Sequence, residues 1–342
     1  MSEALLPWQQ ADWQRLVSLG QRLPHAILLY GTAGIGKVAL AELFAQSLLC
    51  EQVQADGLPC QACASCGWFR QYSHPDYRRI RPETLDEEEV TSEGDDGKVE
   101  KASKTKASRE IVINQVRALS DFMSISTHRQ GKRVVLLYPA EALNVPAANA
   151  LLKSLEEPQS NTVFILVTHS LDRLLPTILS RCHKIAMSFP AKDLALSWLK
   201  QQEVNQAEEL LALQGGAPLA AYELAQSGQY QELQDLLQML AQASPAAALK
   251  TADKLQKAEL PLLTSYLQRW LYDLLACQQT GIIRYYPRYT KVLQQLATSI
   301  DVLALTQLIA RTQERQAVAS HPLSAKLFLE DLLLDYTRLV NG

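Results

Sequence analysis

The sequence predicts an α/β domain with a parallel sheet, followed by an all-α remainder. Three observations point there. Short apolar runs alternate with helical patterns through the first half, at residues 26–30, 134–138 and 163–167. A glycine-rich loop closes the first run and opens a long helix. After Pro190 the strand signals stop, and apolar residues recur at three- and four-residue spacing to the end. Alternating strands and helices imply a parallel sheet covered by helices.

With 342 residues the chain is long enough for two or three domains. Hydrophobic residues make up 47 %, enough for packed cores and too many for a disordered chain. Lys plus Arg (33) nearly balance Asp plus Glu (36), for a net charge of −3. That balance excludes histone-like or tail-driven nucleic-acid binding. No apolar run reaches the length of a transmembrane helix, and residues 1–10 carry Glu3 and no basic n-region. A cytoplasmic location is the expectation.

Each of the three apolar runs is aliphatic or β-branched without polar alternation, as for a strand buried on both faces. Residues 76–81 and 184–188 are weaker strand candidates. Helical patterns cover residues 37–50, 111–124 and 145–156, then 193–202, 206–214 and 219–227. From about residue 230 the chain reads as helical to its end, with examples at 260–278, 289–298 and 324–340. Segment 86–109 is polar and charged, with acids followed by Lys98, Lys101, Lys104 and Lys106. It reads as a solvated loop rather than a basic hook for nucleic acid, because the acids offset the lysines.

Gly31-Thr32-Ala33-Gly34-Ile35-Gly36-Lys37-Val38 matches G-x-x-x-x-G-K between a strand and a helix. Gly31, Gly34 and Gly36 let backbone N–H groups turn toward phosphate oxygens, and Lys37 adds a full charge to the helix N-terminus. The next residue should be Ser or Thr to hold Mg²⁺, and it is Val38. The acidic pair expected at the end of the strand at 134–138 is replaced by Tyr138 and Pro139. Glu141 lies just beyond and is a weak substitute for the missing base. Phosphoryl transfer depends on positioning and metal charge, so these losses favour a degenerate phosphate loop over active hydrolysis.

Cys50, Cys60, Cys63 and Cys66 give C-x9-C-x2-C-x2-C. Four thiolates in so short a stretch suit tetrahedral Zn²⁺, with Zn–S distances of about 2.3 Å. A ferredoxin run would continue x3-C-P, whereas Gly67-Trp68-Phe69-Arg70 follow Cys66. A closed four-sulfur site is structural rather than catalytic. Cys182 and Cys277 read as ordinary structural cysteines. Arg181 precedes the last strand candidate. Spacing alone leaves it as either a surface residue or a guanidinium offered in trans to a neighbour's phosphate.

Several segments together resemble the bacterial clamp-loader AAA+ family. They are Asn149-Ala150-Leu151-Leu152-Lys153-Ser154-Leu155-Glu156-Glu157-Pro158, Ser180-Arg181-Cys182, His74-Pro75-Asp76-Tyr77 and the four-cysteine insertion after the phosphate-loop helix. The likeness is strong over residues 24–216 and weaker beyond. Within the family the chain resembles the non-motor branch rather than the tau/gamma motor type. The motor pattern carries Lys-Thr or Lys-Ser in the loop, Asp-Glu at the second strand and a sensor arginine after the Gly-rich break. Here those positions hold Lys37-Val38, Tyr138-Pro139 and Leu219.

The resemblance implies an AAA+ α/β domain over residues 1–189, a helical lid over 190–232 and a helical collar over 233–342 that joins a pentamer. The zinc module falls at about 50–66. It implies structural Zn²⁺, ATP absent or weakly bound, and Arg181 as an arginine finger reaching the ATP of an adjacent motor subunit. The partners implied are tau/gamma and delta subunits, with the sliding clamp and primed DNA met through the complex and no membrane. The collar reading assigns Leu263, Leu267, Trp270, Leu271, Leu274 and Leu275 to both a core and a partner face, with an ordinary core stripe as the alternative. Two other functions stay open: a self-sufficient, tau/gamma-like AAA+ ATPase using Glu141 and another acid, and a zinc-dependent nucleic-acid binder working alone.

Overall fold

The computed structural model describes residues 5–86, 107–124, 127, 131–320 and 324–341. Most of the charged segment expected at 86–109 therefore lies outside the described residues. The chain forms two compact units, Met1–Ala191 and Lys192–Gly342.

The first unit runs α1 (Gln10–Ser18), β1 (Ala26–Tyr30), α2 (Lys37–Leu49), α3 (Ala64–Arg70) and β2 (Tyr77–Ile80). It continues with α4 (Ile113–Ser124), β3 (Arg133–Leu137), α5 (Val145–Glu156), β4 (Thr162–Thr168), α6 (Pro176–Leu179) and β5 (His183–Ala186). All five expected strands form, in the order β2-β3-β4-β1-β5. Every pairing is parallel. With the phosphate loop following β1, this is the AAA+ type of α/β fold.

The three strong apolar runs are the three central strands, buried along almost their whole length. The two weaker candidates are the edge strands, which keep exposed positions. That difference explains their fainter signal: an edge strand needs fewer apolar residues than one covered on both faces. Leu28, Val135 and Phe164 lie on one sheet face against Leu119 and Phe122 of α4 and Leu151 and Leu155 of α5. On the chain side, α5 begins cleanly because the Asn144 side chain accepts a 3.0 Å hydrogen bond from the Ala147 N–H. Pro146 follows in the first turn, where a missing N–H costs nothing.

Helix α1 is an addition to the helices expected from the sequence. Trp13 and Leu16, three residues apart, are buried on its inner side. Asp12 is also buried, and its carboxylate accepts from the Ser188 backbone N–H at 2.8 Å and from Ser188 Oγ at 3.0 Å. That contact fastens the start of the chain to the segment just past β5.

The second unit is helical throughout: α7 (Lys192–Gln201), α8 (Ala207–Leu213), α9 (Pro218–Gln226), α10 (Gln229–Gln242) and α11 (Pro245–Leu255). Then come α12 (Leu260–Thr280), α13 (Thr290–Ser299), α14 (Val302–Val318) and α15 (Ala325–Asn341). Gly215 and Gly216 both adopt positive φ, and the Gly216 N–H donates to the Leu211 carbonyl at 2.7 Å, closing α8 before Pro218 opens α9. One core runs from Ala195 to Tyr336 around α12.

Leu263, Leu267, Trp270, Leu271 and Leu274 are all buried inside this unit, and Leu275 is partly so. Their apolar surface is consumed as a core stripe, the alternative reading of that segment. Trp270 Nε1–H donates to the Tyr336 hydroxyl at 3.0 Å, which donates to the Leu240 carbonyl at 2.8 Å. Among the described residues no single helix is long and apolar enough to cross a membrane.

Candidate functional site

The phosphate loop lies where the sequence places it, between the end of β1 and the first turn of α2. Gly34 (φ 74°) and Gly36 (φ 88°) are left-handed, a conformation that other residues resist. The outer carbonyls of the loop are braced by a segment the sequence reading passed over. Trp8 Nε1–H donates to the Ile35 carbonyl at 2.9 Å, and Gln9 Nε2–H donates to the Gly36 carbonyl at 2.7 Å. Lys37 is 2 % exposed, and its ammonium donates to the Thr32 carbonyl at 2.5 Å. Burial lowers its pKa to about 8, against a smaller opposing pull from the Glu141 charge.

The acid candidate near the loop is occupied structurally. Glu141 sits on a short turn, Ala140–Ala142, just past β3. One carboxylate oxygen accepts from Thr168 Oγ1 at 2.7 Å and the other from the His169 backbone N–H at 2.9 Å. Glu141 thus joins the end of β3 to the end of β4. His169 is exposed by surface area yet crowded enough that desolvation, then the Lys37 charge, draws its pKa down against the pull of Glu141. With Val38 following Lys37, the loop retains a cation and turned glycines but neither a hydroxyl for a metal nor a disengaged carboxylate.

Cys50, Cys60, Cys63 and Cys66 come together, with all four sulfurs within 4.8 Å of one another. Such a set can hold a metal ion. Cys50 caps the end of α2 and Cys63 the start of α3, so the two helices carry the ends of the module. Backbone N–H groups of Cys60, Cys63 and Cys66 donate to Cys50, Cys60 and Cys63 sulfurs at 3.3, 3.3 and 3.4 Å. The N–H groups of Ala62 and Cys63 lower the Cys60 thiol to about 6, whereas burial pushes Cys50 and Cys66 up. If all four were ionised, a bound cation would offset their mutual repulsion.

The module is anchored on both sides. Ser47 Oγ donates to the Gly57 carbonyl at 2.6 Å and Trp13 Nε1–H to the Asp56 carbonyl at 3.0 Å. Gly57 has φ 84°, and a Cβ there would stand 2.5 Å from Val17. His74, buried at the far end, accepts from the Asp76 N–H at Nδ1 (3.0 Å). Its proton therefore sits on Nε2, 2.8 Å from Ser65 Oγ, which donates to the Leu49 carbonyl at 2.5 Å. This chain connects α3 to the end of α2. Cys182 is buried and pushed up to about 11 by desolvation, while Cys277 is only partly buried, and both are free thiols.

Arg181 follows α6 and precedes β5. Nη1 donates to the Thr177 carbonyl at 2.9 Å and to Ser180 Oγ at 3.3 Å. Nη2 meets Glu156 Oε1, on the last residue of α5, at 2.5 Å. The strand register fixes where this arginine stands. His183, which opens β5, pairs with Ile27 near the start of β1, while the phosphate loop leaves β1 beyond Tyr30. At about 3.3 Å per residue, Arg181 and the loop lie roughly 15 Å apart along two neighbouring strands, β5 and β1, at opposite ends of them. The structure therefore does not bring Arg181 to the Gly31–Lys37 loop of its own chain.

A sequence profile of the family described as "DNA polymerase III, delta subunit" matches residues 9–191. A protein of Pseudomonas aeruginosa named DNA polymerase III subunit delta' is 38 % identical over 353 aligned positions, covering 98 % of each chain. The Escherichia coli protein of the same name is 32 % identical, over 70 % of this chain and 66 % of its own. A Buchnera aphidicola protein named DNA polymerase III subunit gamma is 32 % identical, over 54 % of this chain and 44 % of its own.

Proposed function

The chain belongs to the DNA polymerase III delta-prime family, and from that premise we propose that it is a non-catalytic subunit of a clamp-loader ring, lending Arg181 to the ATP of a neighbouring motor subunit. The observation that carries this reading is the separation of Arg181 from its own phosphate loop, at opposite ends of the paired strands β5 and β1. A guanidinium at one edge of the α/β domain serves a nucleotide only if another subunit brings one there. Its own loop lacks the Mg²⁺ hydroxyl, and Glu141, the carboxylate whose charge acts on Lys37, is engaged by Thr168 and His169.

On this reading the partners are tau/gamma-type and delta subunits, with the sliding clamp and primed DNA engaged through the assembly. Residues 190–232 serve as the lid and 233–342 as the collar. The four cysteines hold Zn²⁺, which neutralises the thiolates and fixes the module on α2 and α3. Nucleotide in the Lys37 loop is absent or weakly held.

The test is reconstitution with motor, delta, clamp and primed DNA. Arg181→Ala is expected to leave ring assembly intact and to lower clamp-stimulated ATP turnover several-fold. Unchanged turnover in an assembled ring would remove the in-trans role.

A further inference from the structure

The sequence offers no reason to single out Glu156 from Glu157 beside it, or from the other acids on the surface. In the structure its Oε1 forms an ion pair with Arg181 Nη2 at 2.5 Å. The Thr177 carbonyl and Ser180 Oγ take the two Nη1 protons. The guanidinium is thus held from three directions while 33 % of its side chain stays exposed. Among the described residues, the hydrogen bonds of this guanidinium all come from Nη1, and Nε–H donates to none. Glu156 also closes α5, where the partial negative charge of the helix end reinforces the attraction for a cation.

An unrestrained arginine on a surface samples many rotamers, and ordering it when a phosphate arrives opposes binding. A guanidinium already ordered, with donors left over, avoids that cost at the moment charge develops. Resting on the in-trans reading above, we propose that Glu156 is a positioning residue for Arg181. It keeps the guanidinium pre-formed so that Nε–H and Nη2–H can meet the terminal phosphate oxygens of a nucleoside triphosphate bound by the adjoining subunit. Glu156 itself need not touch the nucleotide.

The experiment compares complete rings carrying Glu156→Ala, Glu156→Gln, Arg181→Ala and the Glu156→Ala/Arg181→Ala pair. ATP turnover is read at saturating clamp and primed DNA, and assembly is read by gel filtration. Exposed charge pairs are modest in strength, so Glu156→Ala should lower kcat about fivefold. KM for ATP should stay nearly constant, because the neighbour's own loop binds the nucleotide. Glu156→Gln retains an acceptor oxygen and should recover more than half of the loss. In the Arg181→Ala background, Glu156→Ala should cost nothing further.

An additive loss in the double variant, faster turnover with Glu156→Ala, or rings that no longer assemble would each overturn the proposal. If Arg181→Ala is defective and Glu156→Ala is not, only the positioning role fails. If Arg181→Ala is itself without effect, the in-trans reading fails and takes this one with it.

Discussion

Lys37 and Arg181 lie at opposite ends of two adjacent parallel strands: β1 delivers Lys37 just past its C-terminal end, and β5 starts just after Arg181, paired to the beginning of β1. The two cations that nucleotide chemistry would use therefore cannot act on one phosphate within this chain. Arg181 stands at the far strand end, held by Glu156, Thr177 and Ser180. Lys37 is left in a loop that has lost its metal ligand.

Loss of the hydroxyl at Val38 is not the only defect, so restoring it should not restore hydrolysis. Val38→Thr supplies an oxygen for Mg²⁺, but Tyr138 and Pro139 still stand where an acid is needed, and Glu141 stays bound to Thr168 and His169. Both the wild-type chain and Val38→Thr, assayed alone, should show no Mg²⁺-dependent ATP turnover above background. Brisk turnover abolished by Lys37→Ala would contradict this.

Lys37 itself should be a stability liability in the isolated chain. Its pKa is about 8 in the fold and near 10.5 when free. Between those values the unfolded state binds more protons than the folded one, so stability rises with pH across that window. Below pH 8 the cost of burying the ammonium is fully present. Lys37→Met should therefore stabilise the chain at pH 7 by on the order of 1–2 kcal/mol, less than the pKa shift alone implies because the bond to Thr32 is lost too. The advantage should shrink as pH climbs from 8 toward 10.5. Chemical denaturation at pH 7 and pH 10 checks it, and a difference that grew with pH would refute the assignment.

Metal analysis of the purified chain should give one zinc ion, held by the four cysteines. Chelation, or Cys63→Ser, should release it and destabilise the segment between α2 and the end of α3 by several kcal/mol. Because Ser47 and Trp13 still hold the Gly57 end, limited proteolysis should cut first near residues 58–66 while the sheet stays protected. Iron in place of zinc, or unchanged proteolysis after chelation, would reject a structural zinc site.

Much of this molecule is set locally, and local patterns are what a sequence displays. Unbroken apolar runs such as Val134 to Leu137 name the central strands because burial on both faces permits nothing else. The glycines around Lys37 name the loop, because only they accept its left-handed turns. The two-residue gaps from Cys60 to Cys66 name a ligand cluster because so short a chain must bring its sulfurs together. Tertiary structure decided the rest, through contacts between residues far apart in the chain. It turned Glu141 into a brace between two strand ends, and set Trp8 and Gln9 behind the phosphate loop. It also used the apolar stripe of α12 internally, and brought Glu156 to Arg181. The α12 stripe shows its periodicity in the sequence but not what covers it; the other contacts have no periodicity or spacing to announce them, because each arises only when the sheet register and helix packing fix which distant side chains meet.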